Sequence, residues 1–118
     1  MNIEELREYC LKKIGVTESF PFDNNTLVFK VGGKMFLLVD INSSPLQFNA
    51  KCKPQKAIEL REAYSCVLPG YHMNKAHWNT IICNTIAAKK LVLSWIDDSY
   101  DLIVVSLPKT IKMSLKIE

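Results

Sequence analysis

Leu27-Val28-Phe29-Lys30-Val31-Gly32-Gly33-Lys34-Met35-Phe36-Leu37-Leu38-Val39-Asp40-Ile41 decides the fold. Two runs rich in β-formers flank a Gly-Gly pair, and a two-residue primed turn needs positive φ that glycine adopts without strain. The stretch therefore predicts a hairpin with strands 27–31 and 34–41. Asn42 to Pro45 reads as a second turn. Beyond it, Leu46, Phe48, Ala50 and Cys52 alternate with Gln47, Asn49 and Lys51, the pattern of an antiparallel strand with one wet face.

Helical spacing appears on both sides of this meander. Ile3, Leu6, Cys10 and Ile14 share one side of a first helix that Asn2 can cap and Gly15 ends. Pro54 suits the first turn of a second helix, with Ala57, Leu60 and Tyr64 on its apolar side. Residues 17–25 read as an irregular connection, residues 67–75 as irregular or weakly extended, and His77 to Cys83 as a further strand. Asn84 or Thr85 can cap a long final helix running to Leu107, about 30 Å at ~1.5 Å per residue. Pro108 stops it, and 109–118 reads as a loosely ordered basic tail. The order predicts one α+β domain over 1–118, with about five meandering antiparallel strands and helices on one face.

Composition excludes several classes. Among 118 residues, 48% are hydrophobic and 23% charged, which argues against a disordered chain. The longest apolar run, Met35 to Val39, is far short of the roughly 20 residues that span a bilayer. The N-terminus lacks the basic-then-apolar order of a signal peptide, so a cytoplasmic protein is expected. Cys10, Cys52, Cys66 and Cys83 form no C-x-x-C pair, and reduced, mostly buried thiols are expected.

The net charge of +3 hides an uneven distribution. Residues 1–23 carry −2, residues 97–118 carry −1, and residues 24–96 carry nine bases against three acids, +6. Strict alternation from Leu27 and Met35 inward would turn Lys30, Lys34, Phe36, Leu38, Asp40, Gln47, Asn49 and Lys51 outward. Lysines, amides and an aromatic on an open face are groups that meet phosphates and bases, although a solvated sheet face has the same composition.

Residues 69–80, Pro-Gly-Tyr-His-Met-Asn-Lys-Ala-His-Trp-Asn-Thr, hold the densest chemistry. His72 and His77 could bind a metal, but a spacing of five fits neither one helical face nor one strand face. A histidine base lacks a nearby acid to orient it. Asn74, Lys75, Trp78 and Asn79 could grip a phosphate backbone and stack a base. The structural alternative places Tyr71 and Trp78 in the core, with His72 and Asn74 bonding the turn. No Gly-rich phosphate loop, zinc pattern or EF-hand loop is present.

Ser19-Phe20-Pro21-Phe22, the hairpin strands, Lys51-Cys52 before Pro54, Pro69 to Lys75, His77-Trp78-Asn79-Thr80, Ser99-Tyr100-Asp101-Leu102 and Leu107-Pro108-Lys109 resemble the MmcQ/YjbR family of small bacterial proteins. The resemblance spans nearly the whole chain. It implies a fold like that of the bacterial frataxin homologue CyaY, no established enzyme activity and no cofactor. It also implies a DNA-binding role, proposed for the family from two wing-like projections flanking a basic surface. Carried onto this sequence, the contacts are Lys30, Lys34, Lys51, His72, Asn74, Lys75 and Trp78, with nucleic acid the expected partner of a monomeric, non-membrane protein. Frataxin-like iron handling is not expected, because Glu4, Glu5 and Glu8 are followed by Lys12 and Lys13 rather than by a dense acidic ridge. Two other readings stay open: a small-ligand or enzymatic pocket around His72, Lys75, His77 and Trp78, and a protein-interaction surface using Phe36 and Leu38.

Overall fold

The structure, a computed structural model, describes residues 1–117. Six antiparallel strands form one sheet in the order β1-β2-β3-β4-β6-β5. They are β1 (Val16–Ser19), β2 (Thr26–Val31), β3 (Lys34–Asp40), β4 (Gln47–Lys51), β5 (Val67–Pro69) and β6 (Trp78–Ile82). The helices are α1 (Ile3–Leu11), α2 (Pro54–Ala63), α3 (Lys89–Ser106) and α4 (Lys109–Ser114). This is the expected α+β architecture with one strand more than read from the sequence. The addition is β1, which begins one residue before the 17–25 segment read as an irregular connection and takes up its first three residues, while β5 makes a short edge strand of the start of the 67–75 segment.

The β2–β3 hairpin forms as its glycines predict, with φ of +59° at Gly32 and +81° at Gly33. Gly32 has a second reason to lack a side chain, since a Cβ there would lie 2.7 Å from the Leu107 side chain. The Asn2 carboxamide accepts from the Glu5 amide at 2.8 Å and caps α1. The long helix starts at Lys89, later than expected, because Thr85 takes a positive φ of 72° and residues 84–88 bend. At ~1.5 Å per residue its 18 residues span about 27 Å.

The tail also departs from expectation. Residues 109–114 form α4, and Leu115 and Ile117 pack on the core. The last residue of the expected tail, Glu118, lies outside the described residues.

One sheet face carries the main core. Leu6 and Cys10 from α1, Val92, Trp95, Ile96 and Ile103 from α3, and Leu60 and Tyr64 from the α2 region meet Leu27, Phe29, Val31, Leu37, Val39, Phe48 and Ala50. All four cysteines are free thiols, and Cys10, Cys52 and Cys66 are buried.

Strand alternation fails at one place. Lys30 faces Met35 and Phe29 faces Leu37, so Phe36 is an extra residue in a β-bulge. Phe36 and Leu37 both enter the core, and Phe36 packs edge-on against Tyr100 at 5.4 Å. The outward Phe36 expected from strict parity is thereby corrected. Lys34 is corrected too: it lies opposite buried Val31, and its ammonium reaches the Ser106 hydroxyl of α3 at 3.4 Å, on the helical side.

Candidate functional site

The face opposite the helices is built in rows that cross the sheet. Val28, Leu38, Asn49, Thr80 and Leu68 sit opposite one another from β2 to β5. Lys30 pairs with Met35, and Lys51 with Trp78, at one end of this face. Asp40 and Gln47 belong to the other end.

Half of this face is roofed. Val28, Leu38 and Trp78 form a second apolar cluster, joined by Met35 and Met73. Met73 comes from the β5–β6 loop, residues 70–77, which folds back over the sheet. The Asn49 carboxamide donates to the Tyr71 carbonyl at 3.1 Å, and the Tyr71 amide donates to the Thr80 hydroxyl at 3.0 Å. From the other side, Arg61 of α2 donates to the Asn79 carboxamide oxygen at 2.7 Å and to the carbonyls of Lys75 and Trp78. Gly70 permits the fold-back, since a Cβ there would stand 2.8 Å from that of Trp78.

The sequence-derived candidates separate accordingly. Lys30 and Lys51 do project from the uncovered face, half-buried, and among the described residues neither has a carboxylate partner. Lys34 lies on the helical side. Asn74 is spent on the turn, its side-chain oxygen accepting from the Ala76 amide and its carbonyl from the amides of His77 and Trp78. Lys75 donates to the Gly70 carbonyl at 3.0 Å. Trp78 is only 9% exposed and forms part of the floor. His72 is exposed in the left-handed region at φ 58°, its ring 4.0 Å from that of Tyr71.

Between the β1–β2 loop and the β5–β6 loop lies a groove of about 530 Å³. Phe22 and Asp23 stand on one wall and Tyr71, His72 and Met73 on the other, above a floor that includes Leu38, Gln47 and Asn49. Of His72, Lys75, His77 and Trp78, which a sequence-derived pocket would have joined, only His72 lines it. Phe22 and Tyr71 are 64% and 66% exposed, so the sequence reading that placed Tyr71 in the core is corrected. The loop turns outward there because its backbone, not its ring, is bonded to the sheet.

Asp23 holds its wall in shape. Its carboxylate accepts from the amides of Asn25 and Thr26 at 2.8 and 2.6 Å, and these bonds keep its pKa below the ordinary value. Phe22 was not singled out in the sequence, although an aromatic pair around Pro21 in a polar connection was its available signal. Among the described residues no three His, Cys, Asp or Glu side chains gather in a metal-binding arrangement. No described helix is long and apolar enough to cross a membrane.

A family model described as YjbR matches residues 11–102. The chain belongs to the YjbR family. Among its YjbR-family relatives, YbdF of Escherichia coli O157:H7 is 37% identical over 107 residues, 90% of this chain and 87% of that protein. YjbR of Escherichia coli K12 is 32% identical over 109 residues, 92% of each. The crystal structure of Deinococcus radiodurans protein DR2400, described by the domain name DUF419, superposes with a TM-score of 0.93 at 34% identity, covering 99% of this chain and 89% of that one. A Pseudomonas syringae protein superposes with a TM-score of 0.74 at 28% identity, over 86% of this chain and 98% of that one. The YjbR-family sheet with helices on one face is thus common to this chain and to solved relatives.

Proposed function

We propose that this protein is a nucleic-acid-binding module, with DNA as its partner, acting as a cytoplasmic monomer without catalysis. The observation that carries the reading is the pair Lys30 and Lys51. Both leave the face that no helix covers, both lack a carboxylate partner among the described residues, and Lys30 sits opposite Met35 of the bulged strand and Lys51 opposite Trp78. On the helical side, Arg7 pairs with Glu18, Lys13 with Asp97, Lys56 with Asp98 and Lys89 with Glu5. Cations free of internal partners can neutralise phosphates without first giving up a contact. The exposed rings of Phe22, Tyr71 and His72, which line the groove farther along the same face, supply surfaces on which bases stack.

Fluorescence anisotropy of labelled DNA, titrated with protein at low and moderate salt, tests the reading. Binding below about 100 µM that weakens steeply with salt is expected, because phosphate contacts release counterions. Reversal of both lysines, Lys30→Glu with Lys51→Glu, should abolish it. Absence of binding in that range, or insensitivity to salt, would sink the proposal.

A further inference from the structure

The face opposite the helices is electrically divided. Lys30 and Lys51 occupy one end, whereas the groove at the other end is lined by the carboxylates of Asp23 and Asp40 and by the amides of Asn25, Gln47 and Asn49. A phosphate is attracted to the first end and repelled from the second. The groove instead offers what a ring needs: an apolar floor at Leu38, exposed aromatic walls at Phe22 and Tyr71, and hydrogen-bonding groups around the edge. Asp40 uses Oδ1 to accept from the Asn42 amide at 2.9 Å, which leaves Oδ2 for an exocyclic amine.

Resting on the nucleic-acid reading above, we infer that the partner is single-stranded, with one unstacked base lodged between Phe22 and Tyr71 and the adjoining phosphates on Lys30 and Lys51. The two ends lie within reach of one nucleotide. Lys51 is two residues from Asn49 along β4, about 7 Å at ~3.4 Å per residue, and Met35, which lines the groove, is directly opposite Lys30. An intact duplex cannot satisfy this arrangement. Its bases present edges rather than faces, and its paired phosphate rows would bring negative charge against Asp23 and Asp40.

Three labelled probes test the inference: a short mixed-sequence single strand, the duplex of that strand, and the same strand with abasic sugars throughout. The intact single strand should bind about tenfold more tightly than either of the others, since each stacked base contributes strongly. Phe22→Ala and Tyr71→Ala should each weaken it about fivefold or more while leaving the abasic strand unaffected. Both rings are largely exposed, so circular dichroism should show the native fold, and the abasic comparison needs no variant at all. Equal binding of all three probes overturns the base-lodging inference and leaves the nucleic-acid reading standing. No salt-dependent binding of any probe overturns both.

Discussion

The hydroxyl of Ser99, fully buried on α3, donates to the carbonyl of Phe36 at 2.5 Å, the extra residue of the β3 bulge. The same oxygen accepts from the Lys51 amide at 2.8 Å. β3 and β4 pair from Val39–Phe48 to Leu37–Ala50, and just past that point the ladder lapses because the bulge has shifted the strand. One helix side chain therefore satisfies the carbonyl and the amide that the two strands no longer give each other. Ser99→Ala leaves both groups without this partner. A loss of about 1–3 kcal/mol in unfolding free energy is expected in urea titration. An unchanged midpoint would mean that the strands close on each other without the hydroxyl.

That bulge marks where the sequence stopped being legible. Gly32-Gly33 specified the hairpin, and the alternation from Leu46 to Cys52 specified which side of β4 is wet, because both signals are local. Met35 to Val39 is apolar throughout, so it holds no alternation from which to detect an inserted residue. Parity counted through it inverts at Phe36, and with it the side assigned to Lys34. The groove was hidden for a different reason. Its walls are two loops distant in sequence, and Tyr71 is held outward by bonds from Asn49 and Thr80 to the loop backbone, which no pattern in the loop itself encodes.

Arg61 is the second anchor of the β5–β6 loop. Its guanidinium joins α2 to the Asn79 carboxamide and to the carbonyls of Lys75 and Trp78, and Asn79 in turn donates to the Ala57 carbonyl at 3.4 Å. Arg61→Ala should cost about 1–3 kcal/mol by leaving buried Asn79 without its charged donor. Hydrogen exchange at residues 70–77 should accelerate more than exchange in α1, which sits elsewhere on the fold. Equal acceleration in both would show a global effect and no anchoring role. Lys at this position keeps the charge but loses the fork, so Arg61→Lys should restore little of the protection.

The two hairpin glycines should respond differently to a side chain, although both have positive φ. A Cβ at Gly33 meets nothing within 4 Å, whereas one at Gly32 runs into Leu107. Gly33→Asn is expected to cost little, since asparagine tolerates the left-handed region. Gly32→Asn carries the added overlap and should lower stability by about 1–3 kcal/mol, in the range of overpacked sites. In a Leu107→Ala background, Gly32→Asn should cost less than it does in the native chain if the clash is its source. An equal cost in both backgrounds would assign it to the backbone alone.

Alkaline pH should loosen the α1–core contact through two groups. Burial is the main cause that pushes the Cys10 thiol from 9.0 up to about 12. For Tyr9, burial comes first and its hydrogen bond to Asp97 at 2.7 Å second, and together they raise it from 10.0 to about 12. Both groups hold their protons more tightly when folded. Below pH 9 they are protonated in both states and contribute no slope. Between pH 9 or 10 and about 12 the native state binds more protons than the unfolded chain, so stability falls as pH rises. Urea midpoints measured from pH 8 to 11 should decline accordingly. Cys10→Ala should flatten the decline from pH 9 upward, and Tyr9→Phe from pH 10 upward, whatever each substitution costs at neutral pH. A double variant that keeps the full slope would assign alkaline unfolding to other groups.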